Sequence, residues 1–248
     1  MLEGLKRLFT AAPAPAPTDE RDLSAIQAWA ERKGHVLRGV RESEGFVVEG
    51  KVGAVPWRLE WGPSQRPYVK GFELRLRAEL GLPPDVQVLV LNRELQEQME
   101  KDVFDQYVEG VQTRIDNQTP PEMRWLVMFP KLSGPELGSM RERFAALASH
   151  KAWLAAWLTG PLRTALAGTS LPAGQPLVLM VGRGRLTLRK ALEEPEVRGI
   201  EPWVALFETA MREARRVHDE GGGNAVPSTQ PSLWHAGEAP GGAAPKED

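Results

Sequence analysis

Between Phe72 and Leu80 the chain alternates without a break: Phe72, Leu74, Leu76, Ala78 and Leu80 are apolar, while Glu73, Arg75, Arg77 and Glu79 are charged. A period of two places those two sets on opposite faces of a β-strand, one against a core and the other toward solvent or a partner. Such a strand fits an antiparallel sheet, because strands of all-parallel sheets are covered on both sides and read as continuous apolar runs. A slip of one residue would turn every leucine to water, so this segment constrains the register of whatever pairs with it.

The neighbouring segments supply partners. Gly45–Val52 and Val55–Trp61 flank a Gly53-Ala54 turn and read as a hairpin, with Trp57, Leu59 and Trp61 alternating against Arg58 and Glu60. Pro56 has no N–H to donate, which places the start of that second strand at an edge or a bulge. Residues 86–91, VQVLVL, are apolar on both faces and suit a central strand; Asn92 then stands where it can cap a helix carrying Leu95, Met99, Val103 and Tyr107. Leu177–Val181 and Arg185–Arg189 flank Gly182-Arg183-Gly184, a second hairpin.

Helices frame these strands. Leu23, Ile26 and Ala30 share a face in a run ended by Gly34, and a last helix is expected from about Pro202 to His218. In the second half, Trp125–Phe129 reads as a buried strand, Met140, Phe144 and Leu147 as a helical stripe opening near Ser133, and Trp153, Leu154, Trp157 and Leu158 as another before Gly160-Pro161. The order lacks strict βαβ alternation, so the expected class is α+β, an antiparallel sheet of hairpins packed by several helices, with two similar α+β halves as an alternative.

The domain occupies about residues 19–219, with a point of subdivision near 112–122. Before it, MLEGLKRLF places Leu2, Leu5, Leu8 and Phe9 near one helical face, and the Ala-Pro run to residue 18 favours an extended linker. After it, residues 220–248 are rich in Gly, Pro, Ala and Ser and are expected to be disordered, with Trp234 as an apolar island. Both ends are candidate docking segments for a protein partner, and residues 1–9 also for a membrane surface.

Function is narrowed mainly by exclusion. Cysteine is absent, which removes disulfides, thiolate metal sites and thiol nucleophiles. Phosphate loops, dinucleotide fingerprints, nucleophile elbows and zinc-helix motifs are all missing, and the four histidines share no metal-ligand spacing. No cofactor is expected. Lys and Arg number 31 against 33 Asp and Glu, so any binding surface must be local, and nucleic acid is disfavoured as a partner. The Ala-, Gly-, Pro- and Arg-rich composition fits a GC-rich bacterial source, and the lack of a signal-like apolar stretch fits a cytoplasmic protein, with peripheral attachment to the inner membrane as an alternative.

Two side-chain groups carry chemistry. Asp102, Asp105 and Glu109 share a helical face, with Asp116 and Asn117 beyond, and offer oxygens to a hard cation; a solvated helix face is the simpler reading. Arg58, Arg66, Tyr68, Arg75 and Arg77 surround the first hairpin and the alternating strand, and Arg183 and Arg185 surround the second hairpin turn. Those arginines suit phosphate or carboxylate recognition, yet Glu60, Glu73 and Glu79 alternate with them, as cross-strand ion pairing predicts. The leading expectation is a non-catalytic accessory or interaction protein. An enzyme with an acidic or arginine-lined site, and nucleic-acid or anion binding through the arginine-bearing face, are the alternatives.

Overall fold

A computed structural model describes residues 23–39, 45–108 and 119–221, with the side chains of 106–108 left aside. The proposed docking residues Leu2, Leu5, Leu8, Phe9 and Trp234, along with Glu109, Asp116 and Asn117, lie outside the described residues.

The fold is α+β, built on one eight-stranded antiparallel sheet. In chain order the strands are β1 (Val36–Gly39), β2 (Phe46–Val52), β3 (Val55–Pro63), β4 (Phe72–Glu79), β5 (Val88–Asn92), β6 (Phe144–Ala148), β7 (Leu177–Gly182) and β8 (Arg185–Ala191). Their spatial order is β1-β2-β3-β4-β8-β7-β5-β6. The helices are α1 (Ser24–Lys33), α2 (Arg93–Val108), α3 (Pro121–Met128), α4 (Gly134–Leu137), α5 (Lys151–Trp157), α6 (Pro161–Ala167) and α7 (Val197–Gly221).

Both hairpins form where the alternation places them. Val52 pairs with Val55 across Gly53-Ala54, and Gly182 pairs with Arg185 across Arg183-Gly184. In the second turn Arg183 and Gly184 both have positive φ, 54° and 77°, the handedness that matches the twist of a two-residue hairpin. Pro56 stands opposite Lys51 in a regular register, and β3 is an interior strand; pairing with β4 begins only at Trp57, so the proline lies at the end of the ladder rather than at a bulge.

Several local expectations are corrected. Trp125–Phe129 is not a strand: α3 starts at Pro121, whose fixed φ suits a first helical position, and buries Glu122, Met123, Trp125 and Leu126 while Val127 and Met128 are exposed. A short apolar run does not separate strand from helix by periodicity. The stripe Met140, Phe144, Leu147 is split: α4 stops at Leu137, a 3-10 turn covers Gly138–Met140, and Phe144–Ala148 is a strand buried on both faces beside β5. Burial on both sides of the sheet overrides the weak β-propensity of its alanines. Asn92 spends its side chain on β7, accepting the Leu177 N–H at 2.9 Å. The last helix opens at Val197, five residues before Pro202.

The two faces of the sheet differ. On one, Leu59, Leu74, Leu76, Leu179, Leu188 and their neighbours meet α1, α5, α6 and α7 in the main core. Trp29, Trp57, Trp61, Trp157 and Trp203 are buried there, and Trp153 is partly buried. Two of the buried tryptophans hand their N–H groups to backbone acceptors: Trp61 to Leu192 O at 2.7 Å and Trp157 to Ala210 O at 3.0 Å. On the other face, β5, β6 and β7 present Leu89, Leu91, Ala145, Leu147, Val178 and Met180 to a second core closed by α2 and α3. The same face of β2, β3, β4 and β8 carries Glu49, Arg58, Glu60, Glu73, Arg75, Arg77, Thr187 and Arg189.

Candidate functional site

The charged half of that second face is an alternating network. Register sets it up: Glu49 lies opposite Arg58, Glu60 opposite Arg75, and Arg75 opposite Arg189 on adjacent strands. From the β1 edge inward, Arg38 Nε donates to Glu49 at 3.1 Å, and Arg58 bridges Glu49 at 3.3 Å and Glu60 at 2.7 Å. Glu60 also accepts from Arg75 and Arg77. Glu73 accepts from Arg75 at 2.6 Å and Arg189 at 2.7 Å. Finally Glu122 of α3 accepts from Arg66 Nε and from the Tyr68 hydroxyl, each at 3.0 Å, with Arg189 Nε at 3.8 Å.

Burial grows along this path. The Arg38 side chain is 66% exposed and that of Glu122 is 0% exposed. Electrostatics change accordingly. Burial pushes the Glu60 carboxyl up, but hydrogen bonds from Arg75 and Arg58 and the charges of Arg75 and Arg77 outweigh it and hold the group below the usual carboxylate range. Burial, reinforced by the Glu122 carboxylate, pushes the Tyr68 hydroxyl well above its ordinary range, so it acts as a neutral donor. Burial works against the Arg66 cation, yet Glu122 more than compensates. The second oxygens of Glu73 and Glu122 have no hydrogen-bond partner among the described residues.

Of the residues singled out from sequence, Arg58, Arg66, Tyr68, Arg75 and Arg77 are brought into this network. Arg185 pairs with Glu79 at the adjoining margin, and Arg183 is exposed at the hairpin turn, outside the network. Glu122 was missed because its segment reads as a strand; a carboxylate just after two prolines was the available signal for a helix first turn. On α2, Asp102 accepts from Gln98 at 2.7 Å and Asp105 is exposed; among the described residues no group of acidic or histidine side chains is arranged to hold a metal ion.

At the β3–β4–β8 end a groove of about 640 Å³ opens beside the network, lined by Glu49, Pro56, Trp57, Arg58, Arg77, Ala78, Glu79 and Arg185. Neither Glu122 nor Tyr68 lines it, so the buried end of the network is not presented to a substrate there. No helix among the described residues is long and apolar enough to cross a membrane.

Fold and site together define an α+β protein with an eight-stranded antiparallel sheet whose second face is half apolar core and half charged surface. No protein-family model matches the chain, and neither a curated protein nor a solved structure matches it.

Proposed function

We propose that this is a non-catalytic interaction protein that docks an acidic segment of a protein partner across the charged half of the sheet. The observation that carries this reading is the groove at the β3–β4–β8 margin, where Arg58 and Arg77, each 42% exposed, and Arg185, 52% exposed, stand against Glu49 and Glu79. Their guanidinium groups are positioned in advance by the pairing beneath them, which lowers the entropic cost of engaging a carboxylate. The same pairing disfavours nucleic acid. A phosphate backbone gains most from cations free to replace its counterions, and these arginines already share carboxylates.

The test uses the full chain with a fluorescent Glu-rich peptide and a single-stranded oligonucleotide of matched length. Saturable peptide binding is expected, weakened about tenfold or more, near 1.4 kcal/mol, by combining Arg58→Ala, Arg77→Ala and Arg185→Ala. Arg183→Ala, outside the groove, should leave it unchanged. Absence of saturable peptide binding, or an oligonucleotide that binds more tightly with a steep loss in salt, would overturn the reading.

A further inference from the structure

Lys190 breaks the pattern of its strand. Along β8 the core-facing positions run Leu186, Leu188, Lys190, and the cross-strand neighbours of Lys190 are Leu74 on β4 and Leu177 on β7, both fully buried. Lys190 is itself only 4% exposed. Each other buried charged side chain, Glu73, Glu122, Arg189 and Glu213, has an oppositely charged partner. No carboxylate pairs with Lys190 among the described residues. Its ammonium donates to Gln175 Oε1 at 2.8 Å and to Ala191 O at 2.7 Å, and lies 5.2 Å from the centre of the Trp203 ring.

Leaving an ammonium in a core without a counter-charge is costly, and a leucine or methionine would fill the position without that cost. What distinguishes the position is the space beside it. Lys190, Gln175 and Trp203 line a cavity of about 540 Å³ between the sheet, α6 and the start of α7, whose remaining wall includes Leu192, Pro202 and Leu206. That volume lies within the range of small-molecule sites, which combine an apolar lining with a few placed polar groups.

We propose that this cavity binds a small organic carboxylate with an apolar body, its carboxylate paired with Lys190 and its body against Trp203, Leu192 and Leu206. Arg198, also in the lining, is 86% exposed and already paired with Glu196, so the buried part of the wall supplies one ammonium and one neutral amide, a single positive charge that matches a carboxylate and leaves a phosphate dianion half compensated. The site lies on the core side of the sheet, so it is separate from the charged face and its occupancy does not depend on docking there.

The experiment is calorimetric titration of the full chain with hexanoate, octanoate and 3-phenylpropionate, alongside octan-1-ol, acetate and octyl phosphate. At least one of the three amphipathic carboxylates should bind saturably at one site, about tenfold or more tighter than octan-1-ol or acetate. Lys190→Met should remove that preference, bringing octanoate to the level of octan-1-ol. Ala205→Trp, placed at the exposed rim on α7, should block all ligands in a folded protein, as judged by circular dichroism. Equal binding of octanoate and octan-1-ol, carboxylate binding that survives Lys190→Met, tighter binding of octyl phosphate, or no saturable binding by any of the three would overturn the proposal.

Discussion

Glu122→Ala is expected to lower the unfolding free energy by about 3–5 kcal/mol, the scale for removing one member of a buried charge cluster. Glu122 is fully buried in the first turn of α3, accepting from Arg66 and Tyr68 and facing Arg189. Its removal leaves the Arg189 cation, itself nearly buried, with Glu73 as its remaining partner, and leaves the Tyr68 hydroxyl without its acceptor. The helix loses a negative charge where its dipole favours one. Urea unfolding measures the loss, with Glu49→Ala as the contrast: it also removes arginine partners, but at a solvent-exposed margin, so it should cost below about 1 kcal/mol. Equal effects at the two positions would show that burial does not grade the network. Glu122→Gln should bring the Tyr68 hydroxyl down toward its ordinary range without reaching it, because burial is the larger cause of its elevation. The chain has two tyrosines, so ultraviolet titration can resolve the change.

The second large effect is a gain, and it depends on pH. Burial lowers Lys190 from 10.5 to about 8. Well below pH 8 the lysine is charged in both folded and unfolded states, and the folded state bears the full burial penalty, about 3 kcal/mol. Between about 8 and 10.5 the unfolded chain holds a proton that the folded one has released, so the wild type gains stability as pH rises. Lys190→Met carries no such penalty at any pH. The variant is therefore expected to be more stable than wild type near pH 6, and that advantage should shrink by about 2 kcal/mol by pH 10. The loss of the Gln175 and Ala191 hydrogen bonds offsets part of the gain but not its pH dependence. An advantage that stays flat with pH would mean that Lys190 is not the buried cation its surroundings indicate.

The two effects have a common origin in the sheet. Its register gathers the arginines and glutamates of β2, β3, β4 and β8 on one face, where nearly every cation finds a carboxylate, while Lys190 on the opposite face pairs with no carboxylate among the described residues. Charge on the outer face is paired within the fold at its buried end and stands partly in solvent at the groove. Charge on the inner face is left for a ligand to balance.

Local sequence determined what depends on neighbours in the chain. The alternation through Phe72–Leu80 and Trp57–Trp61 assigned core and charged faces, two glycine-bearing turns set the hairpins, and interleaved glutamates announced the ion pairing of Arg58, Arg75 and Arg77. Tertiary structure decided the rest, because the deciding contacts are far apart in sequence. Phe144–Ala148 is a strand because β5 and two cores surround it, and Trp125–Leu126 lie on a helix because that face closes the second core over β6 and the end of β7. The partnership of Glu122 with Arg66 and Arg189 joins three separate segments, and the isolation of Lys190 is a property of everything packed around it. Periodicity reports which face a residue occupies; only packing determines whether a charge on that face has met its partner.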